Sequence, residues 1–348
     1  MPASASGGFF NTYTPTVLLR KTPCPLLVAI LSTRGNTTQS TGIIMTINIQ
    51  KQVNITSYGN IAKPQSDCVL LCLHGDQGAN FLEENPFFSE ISSTDPETLQ
   101  EYLTLEQDAG TSEFTHQLAA RLATHNFRVD LFESRIPRGI FDIGRWTADR
   151  AIRHVFDTAV HPELVQQFYE IHARMLKIYA KLLRQLSPSG IWVDIHSMAP
   201  FDPQSNNGHG PDPVAVAPGK LREYISAYVD PQKRGKRRCV NIATGLMEEP
   251  GAFLADRPLV EHIQKVFTAA GIASNLNDPH PMSYAITAAQ LMRRYGRGLF
   301  VDLSKNLLCT GSVEQVASSL TQPVIDKEKV SSLASVISSG LVDFLKKD

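Results

Sequence analysis

Ser189 to Pro200, SGIWVDIHSMAP, constrains the fold of this chain more than any other stretch. Ile191, Trp192 and Val193 form an apolar run behind a Pro and Gly break, and such β-branched and aromatic residues read as a buried strand. Its polar end, Asp194, His196 and Ser197, then opens at the strand's carboxyl edge. Asp194 and His196 are two residues apart and so share a face. In an open α/β sheet that edge is where ligands bind, which places the pair for chemistry. A core strand with a hydrogen-bonded histidine is the competing reading, and the rest of the chain has to decide.

The remaining signals repeat the pattern. Cys68 to Leu73, CVLLCL, is a second apolar run, and it ends at His74, Gly75 and Asp76. Phe127 to Phe132, Cys239 to Thr244 and Leu299 to Leu303 are further strand candidates. Helical patterns lie between them. Phe114, Leu118 and Leu122 fall four apart, with Thr111 or Ser112 as the N-cap. Pro162 opens an amphipathic helix whose stripe runs through Leu164, Phe168, Ile171, Met175, Tyr179, Leu182 and Leu186. His172, beside that stripe, reads as a core or boundary residue. Arg257 to Ala270 and Lys327 to Lys347 are two more helices. This alternation predicts an α/β fold: a single domain over residues 67–348 with a mainly parallel or mixed central sheet flanked by helices.

Residues 1–66 contain no Asp or Glu and are rich in Ser, Thr, Asn, Gly and Pro, which reads as a poorly ordered leader. A targeting role is the alternative, so the expected compartment is cytoplasmic, or mitochondrial or another organelle reached through the leader. Between Pro64 and Ala120 there are eleven acidic residues and no Lys or Arg, expected as a solvated loop over the sheet. The basic run Lys233, Arg234, Lys236, Arg237, Arg238 is expected as a solvated loop too. A net charge of -1 gives no strong attraction to nucleic acid or to an anionic membrane. No apolar run reaches the ~18 residues of a membrane span. The five cysteines form no CxxC pair, which favours a reducing compartment.

Two strand-end histidines, His74 and His196, with one nearby carboxylate match the three protein ligands of a catalytic zinc. Asp76, Glu83, Glu84, Glu106 and Asp108 all compete for the carboxylate role, and spacing alone does not choose among them.

Five short segments in order carry a resemblance to the N-formylglutamate amidohydrolase family, within the wider zinc carboxypeptidase-like superfamily. They are LHGD at 73–76, DAGTSEF at 108–114, SRIPRGIFDIGRW at 134–146, VDIHSM at 193–198, and NDPHPMSYAI at 277–286 with GLFVDLSKNLL at 298–308. The resemblance spans Cys68 to Leu308. It implies a zinc carboxypeptidase or phosphorylase-hydrolase-like fold, with zinc held by His74, Asp108 and His196. It implies Asp302 and Arg138 as catalytic residues, and Arg135, Arg145, Asp194, Ser197 and Tyr284 as substrate-binding ones. The implied activity is hydrolysis of the amide bond of a small-molecule N-acyl amino acid or short acidic peptide. Asp302 stands where that family has a glutamate, and Gly144 where it has an asparagine, so formylglutamate itself is not the expected substrate. Another zinc carboxypeptidase or acyl-amino-acid deacylase is one alternative, and a non-catalytic binding protein that keeps the fold is another.

Overall fold

The structure, a computed structural model, describes residue 47 and residues 52–75, 78–153, 155–203 and 219–347. Among these described residues nine strands follow in chain order: β1 (Val53–Gly59), β2 (Ser66–Cys72), β3 (Arg128–Ser134), β4 (Leu186–Met198), β5 (Phe201–Pro203), β6 (Arg234–Arg237), β7 (Val240–Ala243), β8 (Ser274–Leu276) and β9 (Gly298–Ser304). Seven form one mixed sheet in the order β1-β3-β2-β4-β9-β7-β8, and β5 pairs with β6 separately. Strands β3, β2, β4 and β9 are mutually parallel, β1 runs antiparallel on β3, and β7 runs antiparallel on β9. Val69 to Cys72 and Ile191 to Val193 are fully or almost fully buried, as expected of parallel strands covered on both faces.

The helices are α1 (Gly78–Glu84), α2 (Phe87–Ile91), α3 (Pro96–Glu106), α4 (Thr111–Ala123), α5 (Ala148–Ala151), α6 (Pro162–Arg184), α7 (Leu221–Val229), α8 (Arg257–Ala269), α9 (Thr287–Tyr295), α10 (Val313–Ser318) and α11 (Lys327–Leu345). Helix α11 packs on α4 and α8, and a Cβ at Gly340 would lie 2.8 Å from Val266, so the small residue sets that approach. Cys72 reaches Thr111 of α4 across one sheet face, while Phe132 meets Tyr179 of α6 edge to face. Cys72 and Phe132 occupy opposite faces of the pleat, given the β2–β3 register, so α4 and α6 sandwich the sheet. Among the described residues no helix is long and apolar enough to cross a membrane.

Several elements differ from the sequence expectation. The folded region begins before residue 67, because β1 is a paired strand; residues 1–46, with the leader reading, lie outside the described residues. The acidic stretch is no solvated loop. It builds α1, α2 and α3, which bury Phe81, Phe87, Phe88, Leu99, Tyr102 and Leu103, while Asp95 caps α3 by accepting from Thr98 N at 2.9 Å. The basic run forms β6 and ends in buried Arg238, paired with Asp202 at 2.6 Å. Helix α4 is capped by Gly110 rather than Thr111 or Ser112: φ is +82°, and a Cβ there would lie 2.7 Å from Leu308.

Strand β2 connects onward to β3 on one side, and β4 connects onward to strands on the other. The crevice at the carboxyl ends of β2 and β4 is therefore a topological switch point, where open α/β sheets bind ligands.

Candidate metal centre

His74 lies two residues beyond the end of β2 and His196 near the end of β4, so the switch point brings both imidazoles to one place. Asp108 arrives on the loop before α4. That loop is fixed on three sides: Asp108 N donates to His74 O at 3.1 Å, Thr111 Oγ1 to Asp108 O at 2.7 Å, and Ser197 Oγ to Ala109 O at 3.2 Å. All three residues of the triad are buried.

Three Lewis bases converge here. His74 Nδ1 lies 3.1 Å from His196 Nδ1, His196 Nδ1 lies 3.0 Å from Asp108 Oδ2, and His74 Nδ1 lies 3.4 Å from the same oxygen. Ligands about 2.0 to 2.1 Å from a tetrahedral zinc stand about 3.3 Å from one another, so the triangle has the edge length that zinc requires. The set of two imidazoles and one carboxylate also suits zinc chemically. Among the described residues this is the one group of His, Cys, Asp and Glu whose ligand atoms lie so close together.

The far nitrogen of each imidazole faces a carboxylate. His74 Nε2 lies 2.8 Å from Asp142 Oδ1, and His196 Nε2 lies 3.1 Å from Asp194 Oδ1. The first is a hydrogen bond, and a carboxylate so bonded behind a ligating imidazole fixes its tautomer and raises its basicity; the second is a close approach of charge without one. Asp142 is itself held by Gly144 N at 2.9 Å, by Arg145 Nε at 3.2 Å, and by Arg153, whose side chain is wholly buried. Gly144 is pressed between these groups, and a Cβ there would lie 2.9 Å from Asp142 Oδ1 and 3.1 Å from His74 Cε1. A side chain at this position could not enter without moving the histidine or its carboxylate.

Burial alone would raise the pKa of Asp108, but hydrogen bonds from His196 and His74 and the charges of His74 and Arg138 hold it far below the usual range. Asp142 is likewise held low against its burial by Arg153, His74 and Arg145. Burial works against protonated His196, yet Asp194 and Asp108 raise its pKa well above the usual value.

Beside the triad lies a cavity of about 430 Å³, within the range of small-molecule sites. Its walls include Arg138, Arg145, Asp194, Ser197, Asp302, Lys305 and Arg238. Asp302 stands level with His196 in the β4–β9 register, and its Oδ1 is buried with no hydrogen-bond partner among the described residues. Desolvation, reinforced by Asp108, pushes its pKa up to about 6 against the pull of His196, Arg238 and Arg138. Arg138 reaches Asp108 Oδ1 at 3.3 Å and lies 3.5 Å from Glu106 Oε2.

Of the expected residues, the structure thus brings together His74, Asp108, His196, Asp194, Asp302, Arg138, Arg145 and Ser197. Ser197 turns its hydroxyl to the Ala109 carbonyl, so it supports the Asp108 loop. Arg135 and Tyr284 are not among the cavity-lining residues. The backbone of Arg135 bonds to Gln52 O, while Tyr284 gives its hydroxyl to Glu249 and its ring to Arg293, 4.9 Å from the centroid. Asp76 lies outside the described residues. His172 is buried, as expected, with Nε2 2.9 Å from the carbonyl of Arg145. Asp142, Arg153, Arg238 and Lys305 join the site although the sequence pattern does not single them out for it. For Asp142 a signal exists: it sits four residues after Arg138 and three before Arg145, spacings at which opposite charges meet in a tight turn.

No family model and no curated protein sequence matches the chain. Solved structures do. N-formylglutamate amidohydrolase from Ralstonia eutropha JMP134 matches with a TM-score of 0.51 at 13% identity, over 84% of this chain and 97% of that one. Succinylglutamate desuccinylase from Chromobacterium violaceum matches at 0.38 and 13%, over 82% of this chain and 63% of its own. A bacteriophage poly-gamma-glutamate hydrolase matches at 0.37 and 12%, over 87% and 93% respectively. The first of these likenesses shows that this chain's α/β fold, a mixed seven-stranded sheet flanked by helices, is shared in its overall architecture.

Proposed function

We propose that the chain is a zinc-dependent amidohydrolase, related to the N-formylglutamate amidohydrolase family, that cleaves the amide bond of an N-acyl amino acid or short acidic peptide. The observation that carries this reading is the triangle of His74 Nδ1, His196 Nδ1 and Asp108 Oδ2, with sides of 3.0 to 3.4 Å, opening beside Asp302 in the cavity. The fold shared with an amidohydrolase structure supports it.

His74, His196 and Asp108 hold the metal. The chemistry a bound zinc supplies is polarisation of the scissile carbonyl and acidification of water, from pKa 15.7 to about 7. Asp302 handles the proton at its unpartnered Oδ1. Its pKa is raised to about 6 in the metal-free site and would be lower with a metal bound, so it is ionised at neutral pH and placed to take a proton from water and return it to the departing amine. Arg138 places a guanidinium beside Asp108 at the cavity wall, where it meets the oxygen that gains charge as the carbonyl is attacked. Asp142 orients the His74 imidazole from behind, and Asp194 places a negative charge beside His196 Nε2.

The test combines elemental mass spectrometry of the purified chain with hydrolysis of a panel of N-acyl acidic amino acids. One zinc per chain, with turnover abolished by chelator and restored by zinc, is expected. Asp302→Asn should keep the zinc and lose about 10²- to 10⁴-fold in kcat, the usual worth of a general base. Hydrolysis that persists undiminished in chelator would sink the reading. A zinc-loaded chain that turns over nothing in the panel would favour a non-catalytic binding role.

A further inference from the structure

Four cationic side chains line the cavity, and three of them already face carboxylates. Arg138 has Asp108 and Glu106, Arg145 has Asp142, and Arg238 has Asp202. Lys305 differs. It is buried, it forms no ion pair among the described residues, and its one hydrogen bond there runs to the carbonyl of Leu105 at 2.7 Å. An ammonium carries three donors, and burying one with no carboxylate in hydrogen-bond contact is costly, although the charges of Asp108 and Glu106 act on it from further off. The C-terminal turn of α3, which supplies the Leu105 carbonyl, offsets part of that cost. Neither Asp302 nor Glu106 closes an ion pair with Lys305, although both line the same cavity.

From this geometry we infer that Lys305 is the anchor for a carboxylate on the amino-acid half of the substrate. The inference rests on the hydrolase reading for the identity of the two halves. Hydrolysis breaks the C–N bond: the water oxygen bonds to the acyl carbon, and a water proton passes through Asp302 to the departing nitrogen. Asp302 must therefore lie on the amine side of the scissile bond. Lys305 follows it by three residues in the 3-10 turn Lys305–Leu307 that closes β9, and on this inference the group it holds belongs to the amine side as well. The substrate class is an N-acyl amino acid with a free carboxylate on the released amine, in contrast to a compound whose only carboxylate lies on the acyl half.

The experiment measures equilibrium binding by isothermal titration calorimetry in the zinc-loaded Asp302→Asn background, where turnover does not interfere. The ligands are N-acetyl-glutamate and its uncharged diamide. Lys305→Met is expected to weaken N-acetyl-glutamate on the order of 10- to 100-fold, as loss of a charge-assisted hydrogen bond does, and to leave the diamide unchanged. Lys305→Arg, which keeps the charge, should recover much of the loss. Thermal midpoints and zinc content of each variant separate this effect from misfolding, because a merely structural lysine would weaken both ligands alike. Equal weakening of both ligands, or no change in either, overturns the inference. Should the wild-type chain hydrolyse no N-acyl amino acid while Lys305 still governs carboxylate binding, the hydrolase reading falls and the anchor stands. Hydrolysis with a KM for N-acetyl-glutamate unaltered by Lys305→Met does the reverse: the hydrolase stands and the anchor falls.

Discussion

The two halves of the triad are supported differently. On the β2 side, both ring nitrogens of His74 have partners, and both oxygens of Asp142 behind it are taken up by Gly144, Arg145, Arg153 and the imidazole itself. On the β4 side, Asp194 Oδ1 approaches His196 Nε2 to 3.1 Å but off the line a hydrogen bond needs, and neither atom has another partner among the described residues. His196 is positioned instead by a ring: it stacks on Phe300 at 4.7 Å with an interplanar angle of 18°. Charge fixes one histidine, and shape fixes the other. Asp194 Oδ1, His196 Nε2 and Asp302 Oδ1 are left without hydrogen-bond partners on this side, next to the cavity, whereas on the other side Arg153 keeps an unpartnered Nη1 but both oxygens of Asp142 are taken. A site in which one half is locked and the other keeps spare hydrogen-bonding capacity suits a metal anchored from one side and a substrate received on the other.

The largest effects should come from the ligands themselves, where the two halves are equivalent. His74→Ala and His196→Ala are each expected to lose the zinc entirely, as read by elemental analysis of folded protein. Retention of a full equivalent in either variant would break the triad. Replacing the carboxylates behind the rings should then separate the halves. Asp142→Asn is expected to weaken zinc 10- to 100-fold, the usual effect of losing such a group. It also strands Arg153 without its anion, so destabilisation by roughly 3 to 5 kcal/mol in denaturant titration is expected. Asp194→Asn, which breaks no established hydrogen bond, should cost clearly less on both readouts. Equal costs would mean that the asymmetry does not govern metal retention.

Proton linkage gives the same contrast a pH dependence. Asp142 and Asp108 have folded pKa values below their unfolded ones, so the stability they contribute is present above about pH 4 and is lost as pH falls. Asp302 has the opposite sign. Its pKa rises from 3.8 to about 6 on folding, so the folded state binds the extra proton between those values and stability falls as pH climbs through them. In the metal-free chain, Asp302→Asn should therefore remove that fall and stabilise the protein at pH 7 by on the order of 2 to 3 kcal/mol. The same group sets an acidic limb in kcat/KM, below the metal-free value of about 6 because a zinc cation beside a carboxylate lowers its pKa. A metal-free Asp302→Asn chain that is destabilised, or a zinc-loaded enzyme whose activity shows no acidic limb at all, would contradict the role given to this carboxylate.

The contrast also follows what is legible in the sequence. Apolar runs ending in histidine locate β2 and β4, because strand hydrophobicity and strand-end polarity are local properties. Asp108, Asp302 and Arg138 need family order in addition. Asp142 stays hidden as one acid among arginines, since its partners His74 and Arg153 meet it only through the β2–β4 crevice and the turn before α5. Arg238 reads as part of a solvated basic run and nothing local marks Lys305 for the cavity; their burial depends on α3, on Asp202 and on the cavity between them. The acidic stretch misleads for a related reason. Its charges lie largely on the outer sides and caps of α1 to α3, and the aromatics among them, Phe81, Phe87, Phe88 and Tyr102, carry the packing.

The smallest expected effect tests the ring that positions His196. Phe300 lies one pleat from Asp302 on the same face of β9 and opposite Asp194 in the β4–β9 register. Phe300→Leu keeps an apolar side chain there but removes the stacked face. The ring contact is worth about 0.5 to 1.5 kcal/mol beyond burial, so zinc affinity should weaken by about tenfold or less. The decisive comparison is with Asp194→Asn. If shape fixes His196, Phe300→Leu costs at least as much zinc affinity as Asp194→Asn, and combining the two costs more than their sum, because the imidazole then has no second restraint. If Asp194→Asn alone costs as much as Asp142→Asn while Phe300→Leu is silent, both histidines are held by charge, and the difference between the two halves disappears.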